Sequence, residues 1–136
     1  MYREIDHKAD IAYEVEAKSF DEFLNDIVKI LLENSTKKFT KHVEKLLLTN
    51  CLQNFIEKCY NIDMIRDENA LQDYIFDMVN ELIFLVDQGY YPFKVENNCI
   101  YLCKENIGLS IKALTYHNFV AERRNDKIFL RMVFDV

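Results

Sequence analysis

Two stretches at opposite ends of this chain hold side chains suited to a hard cation: His7-Lys8-Ala9-Asp10 near the start and Phe134-Asp135-Val136 at the finish. Asp135 stands beside the chain's terminal carboxylate, so the last two residues offer two negative groups close together, and Asp10 would add a third. Oxygen donors of this kind suit Ca²⁺ or Mg²⁺, whereas an imidazole or thiolate ligand shifts preference toward transition metals. Such a trap exists only if the fold brings the two ends together. Taken alone, His7 and Asp10 could form a ligand pair or a base with its orienting carboxylate, but an isolated H-x-x-D reads best as a turn in which Asp bonds its own backbone.

The other candidates are weaker. Thr115-Tyr116-His117 falls in a strand-like stretch, where Thr115 and His117 share one face and Tyr116 takes the other. A lone strand histidine is more often a packed, hydrogen-bonded group than a catalyst, and His42 reads as surface. With Gly89 and Gly108 as the only glycines no phosphate-cradling loop can be built, and Ser19, Ser35 and Ser110 have no nucleophile context. Cys51, Cys59, Cys99 and Cys103 are separated by seven, thirty-nine and three residues, which lacks paired C-x-x-C knuckles. They are read as reduced, partly buried thiols, because disulfide frameworks belong to small secreted domains.

A formal charge of −6 argues against a surface that grips a phosphate backbone by itself, since that affinity comes from Lys and Arg displacing counterions. The small basic groups Lys37-Lys38 with Lys41, and Arg123-Arg124 with Lys127, read as solvated loop charge, and Asp73, Asp77, Glu81 and Asp87 as a solvated helix face. The apolar runs are too short and too interrupted by charge to span a membrane. Met1 to Asp6 has no apolar signal region, so a cytoplasmic protein is expected.

The elements that must position these residues follow from periodicity. At 136 residues, 50% hydrophobic, with two Gly and one Pro, the chain fills one core and offers no linker, so residues 1–136 are expected to form a single domain. Alternation over Tyr2 to His7 and Ile11 to Glu16 predicts two short strands around a bend at His7 to Asp10. Ser19-Phe20-Asp21-Glu22 is a capping box opening a helix to about Glu33. Residues 34–67 form a variable segment: Val43, Leu46, Leu47, Cys51 and Phe55 could line a helix, while Lys58 to Arg66 reads better as a strand. A cap at Asn69 starts a second helix that stops at Gly89. Tyr90-Tyr91-Pro92-Phe93 is expected as an aromatic loop. Phe93 to Glu96 and Cys99 to Lys104 form a hairpin through Asn97-Asn98, and Leu109 to Glu122 pairs with Lys127 to Asp135 through Arg124-Asn125-Asp126. Two helices packed on a mainly antiparallel sheet make an α+β fold.

Four stretches in this order, His7-Lys8-Ala9-Asp10, Asn80 to Leu85, Ile111 to His117 and Val133 to Val136, resemble the archease family, although Lys8 stands where Thr is common and Ala12 where Gly is common. The resemblance implies the same α+β class and a non-catalytic role: activation of the RtcB-type GTP-dependent RNA ligase of tRNA splicing and repair, by promoting its guanylylation. The tRNA would then be contacted indirectly, through the ligase. It further implies that Asp10 and Asp135 belong to a metal site, usually described with calcium, with Val136 contributing backbone oxygens. His7 would orient Asp10 rather than bind metal, and His117 lies in a family signature without a fixed task. Two other readings are a small metal-dependent hydrolase using His7 or His117 as base and a chaperone-like interaction module.

Overall fold

The structure, a computed structural model, describes residues 1–5 and 10–136. The bend expected over His7 to Ala9 therefore lies outside the described residues. Among those described, seven strands and three helices occur in the order β1 (Tyr2–Ile5), β2 (Ile11–Ala17), α1 (Phe20–Glu33), α2 (Lys41–Cys51), β3 (Ile56–Cys59), α3 (Glu68–Asp87), β4 (Tyr90–Glu96), β5 (Cys99–Lys104), β6 (Ala113–Arg124) and β7 (Lys127–Asp135). The strands build two antiparallel sheets, a four-stranded one ordered β1-β2-β7-β6 and a three-stranded one ordered β3-β5-β4. The α+β class holds.

Helix α1 begins where the capping box places it. Ser19 Oγ accepts the Glu22 amide at 3.1 Å, while Glu22 accepts the Lys18 amide at 3.1 Å, satisfying amides that the first turn leaves unpaired. Its buried stripe includes Phe23, Leu24, Ile27, Ile30 and Leu31. In α3 the stripe runs Leu71, Ile75, Met78, Val79, Leu82, Ile83 and Val86. Each helix packs against both sheets, α1 on β2 and β4, α3 on β6 and β4, so one continuous core joins the two sheets through the helices. Burying each large aliphatic side chain of this core contributes roughly 1.5–3 kcal/mol.

Several expectations are corrected. The cap of α3 is Asp67, whose carboxylate accepts the Ala70 amide at 3.0 Å, rather than Asn69. Tyr90-Tyr91-Pro92-Phe93 is not a loop: Gly89, at φ +99°, turns the chain directly into β4. The 34–67 segment holds a third helix, α2, and a strand at Ile56–Cys59, shorter and earlier than the stretch expected from Lys58 to Arg66. Both two-residue hairpins use consecutive positive-φ residues, Asn97 with Asn98 and Asn125 with Asp126, the geometry that matches strand twist.

The cysteines are paired, not reduced. Cys59 lies directly across the ladder from Cys99, with 4.0 Å between Cα atoms, and the end of α2 brings Cys51 to Cys103, with 5.2 Å between theirs. Local spacing concealed this because both bridges close long loops, over sequence separations of 52 and 40 residues. The basic groups are also not free loop charge. Lys38 Nζ donates to the Leu32 and Glu33 carbonyls that end α1, at 2.8 and 2.9 Å, and the Arg123 guanidinium donates to the carbonyls of Ile62 and Ile65. Arg124 stacks over Phe129 at 3.9 Å.

Candidate functional site

Strands β2 and β7 run antiparallel with Ile11 opposite Phe134. Asp10 precedes that pair by one residue and Asp135 follows it by one, so the two acids stand one step beyond it on adjacent chains. Side chains alternate along a strand. Phe134 is fully buried on the core side, which sends Asp135 to the outer face, while Asp10 lies in the bend that leads into β2. Asp135 is exposed, Asp10 half-buried and Val136 48% exposed.

The next outer pair inward, Ala12 opposite Val133, is 0% and 4% exposed and gives the acids an apolar floor. An apolar neighbourhood lowers the local dielectric and strengthens attraction between carboxylates and a cation. Strand β6 closes the other side. Ala113 pairs with Asp135, the Lys112 amide donates to the Asp135 carbonyl at 2.8 Å, and Thr115 Oγ1 donates to the Val133 carbonyl at 3.1 Å.

A residue with no assigned task in the sequence reading holds this corner in place. Strand β6 is the edge of its sheet, so the outward amide and carbonyl of Leu114 have no strand to pair with. Asn80 of α3 supplies both partners: Leu114 N–H donates to Asn80 Oδ1 at 2.9 Å, and Asn80 Nδ2 donates to the Leu114 carbonyl at 3.4 Å. The side-chain amide thus replaces the peptide of a missing strand. An Asn in a helix whose neighbours Val79, Leu82 and Ile83 are buried was the available signal.

His117 stands apart from the acids. It lies on β6 four residues beyond Ala113, about 10–13 Å further along by strand rise, and it is exposed, within a register shift between Thr115 and Val120 where Asn118 has φ +61°. On the opposite side of this bulge Tyr116 packs on Phe76 and donates its hydroxyl to Asp73. His7 lies outside the described residues. Hollows on the surface occur elsewhere, for example one of about 200 Å³ lined by Arg3, Glu14, Glu16 and Phe129 on the outer sheet face.

The fold defines a small α+β protein in which helices join two antiparallel sheets, with Asp10 and Asp135 next to the last rung of β2 and β7. The model of the Archease protein family (MTH1598/TM1083) matches residues 2–136. Protein archease of Thermotoga maritima is 32% identical over 141 residues, covering 99% of this chain and 99% of that protein. A crystal structure of an archease from Thermotoga maritima, described as a possible chaperone, superposes with a TM-score of 0.60 at 32% identity, covering 100% of this chain and 98% of that one. The solution structure of a Methanobacterium thermoautotrophicum protein superposes with a TM-score of 0.55 at 16% identity, covering 99% and 98%, and shares the fold. The chain belongs to the archease family.

Proposed function

We propose that this chain activates an RtcB-type GTP-dependent RNA ligase, promoting its guanylylation and repeated turnover in tRNA splicing and RNA repair, as its resemblance to archease implies. The chain is a protein cofactor of the ligase in this reading, not an enzyme, and reaches tRNA only through the ligase. The observation behind the proposal is the β2–β7 register, in which Ile11 pairs with Phe134 and Asp10 and Asp135 are the residues next to that pair. Two carboxylates with the backbone oxygens of Val136 form an all-oxygen donor set, which fits a calcium ion or another hard divalent cation. The ion would neutralise the two acids. Its displacement, or the carboxylates without a bound ion, would act on the metal and nucleotide centre of the ligase. Membership of the family, the exposure of Asp135 and the half-buried position of Asp10 at the ends of β7 and β2 support docking against a partner.

Guanylylation of the cognate ligase, measured with GTP and metal in the presence and absence of the protein, tests the reading. Wild-type protein is expected to accelerate it and Asp135→Ala to abolish the acceleration at an unchanged melting temperature. A penultimate exposed residue contributes little to the core, and its removal relieves repulsion between clustered anions. Normal activation by a folded Asp135→Ala variant would discard the mechanism. Calcium titration of the isolated protein, with Asp10→Asn and Asp135→Asn as controls, reports separately on the cation.

A further inference from the structure

The outer face of the three-stranded sheet carries a second donor cluster, chemically unlike the first. On β3, Glu57 and Cys59 are two residues apart and so share a face. Cys59 is paired across the ladder with Cys99 of β5, and on the other side of Cys99 stands Glu96 of β4. One donor atom each from Glu57, Cys59 and Cys99 lies within 4.8 Å of the other two. This is the group of three such side chains that the described residues assemble, and it is built from adjacent strands rather than from a loop.

We propose that Cys59 and Cys99, once reduced, form with Glu57 a binding site for one thiophilic divalent cation of the zinc type. With metal–sulfur bonds of about 2.3 Å and metal–oxygen bonds of about 2.0 Å, the ligand atoms of a tetrahedral site lie roughly 3.3–3.8 Å apart, so the three donors need to move by about an ångström. Two thiolates select zinc over Ca²⁺ and Mg²⁺, which separates this site from the all-oxygen pair at Asp10 and Asp135. The rung beside the cysteines frames the carboxylate: Tyr101 faces Glu57 across the ladder, and Lys94 sits 5.2 Å over the Tyr101 ring. Glu96, now held by Lys94 at 2.8 Å, is the nearest candidate for the fourth position, which water otherwise fills.

The two bridges are not equivalent. Cys51 and Cys103 are 3% and 4% exposed, whereas Cys59 is exposed and Cys99 is at 9%. The Cys59–Cys99 bridge is the one open to a reductant, and losing it leaves the other staple between the variable segment and β5 in place. The step balances with a thiol or phosphine donor: two electrons break the sulfur–sulfur bond, two protons make the thiols, and the donor leaves as its disulfide, or as a phosphine oxide with oxygen from water. Metal binding then releases both thiol protons.

The test reduces the whole protein with a phosphine, removes the excess and titrates Co²⁺, whose sulfur-to-metal charge-transfer absorption reports thiolate ligation, followed by displacement with Zn²⁺. The charge-transfer absorption is expected to saturate at one equivalent in the reduced protein and to be absent from the oxidised protein. Glu57→Gln is expected to weaken binding by about tenfold or more, Cys59→Ser with Cys99→Ser to abolish the absorption, and Asp135→Ala to leave it unchanged. No absorption from the reduced wild type, or its persistence without Cys59 and Cys99, would overturn the proposal. Because variants that lack the Cys59–Cys99 bridge risk unfolding, alkylation of the reduced wild type decides the assignment: zinc must protect Cys59 and Cys99, and protection of Cys51 and Cys103 instead, or of no cysteine, also overturns it.

Discussion

Asn80 shows how one side chain determines the placement of a site it does not belong to. Its amide satisfies both backbone groups of Leu114, one residue past Ala113, which faces Asp135. Removing it leaves a half-buried amide and carbonyl without protein partners, a loss of about 1–3 kcal/mol. Urea denaturation of Asn80→Ala is expected to show that loss, and Asn80→Asp, which keeps the acceptor and loses the donor, an intermediate one. Gly108 makes a second point of the same kind. Its φ is +68°, and a Cβ there would stand 2.1 Å from Thr36 Oγ1, where residues 35 and 109 bridge two segments. Gly108→Ala is expected to lose about 1–2 kcal/mol from the left-handed conformation alone, with a further loss from the overlap. Adding Thr36→Ala in the same denaturation series is expected to recover only the overlap part.

The variable segment is joined to the body by the β3–β5 ladder, and its helix α2 by covalent and side-chain pins rather than through a large apolar face. Helix α2 buries Cys51 while Leu46, Leu48 and Leu52 stay more than 40% exposed. Its hold on the body is the Cys51–Cys103 bridge, together with the Arg123 contacts to Ile62 and Ile65 further along. Cys51→Ser with Cys103→Ser is therefore expected to lower stability by roughly 2–4 kcal/mol, as for other long cross-linked loops, read as a lower urea midpoint with α2 opening first in hydrogen exchange. Tyr60 is a third pin: its hydroxyl donates to Glu81 of α3 at 2.7 Å. Burial and this carboxylate raise the Tyr60 pKa well above its ordinary value of 10. The proton is thus held more tightly in the folded state. The unfolded chain releases it near pH 10, so the stabilisation is complete below that pH and declines as pH rises toward the native value. Tyr60→Phe is expected to show a shallower fall in melting temperature above pH 10 than wild type.

At the scale of the whole molecule, two sheets with different outer faces are held on one core. The four-stranded sheet carries the oxygen donors at the β2–β7 end, and the three-stranded sheet carries the sulfur-containing cluster. Helices α1 and α3 contact both sheets, so the carboxylate corner and the cysteine face are fixed to one scaffold. Cross-strand pairs such as Arg3 with the half-buried Glu14 at 2.7 Å, and the exposed Lys127 with Glu16 at 2.9 Å, line the outer face of the larger sheet. Exposed pairs of this type contribute little to stability; their effect is to keep that face charged and in register.

The sequence by itself determined what depends on neighbours in the chain. The apolar stripes of α1 and α3, the Ser19 cap, the Asn97-Asn98 turn and the alternation along β2 and β7 are all local, because 3.6- and 2-residue periods and turn conformations are properties of short stretches. Asp10 and Asp135 were singled out by residue type and family resemblance, and the family itself is matched over residues 2–136. Only the tertiary structure decided the rest: which cysteine meets which, where Arg123 and Lys38 spend their charges, that Asn80 completes the edge of β6, and that Asp10 and Asp135 flank one rung. Each of these joins residues tens of positions apart, and the contact that selects it is made by the packing of two elements, which no local pattern encodes.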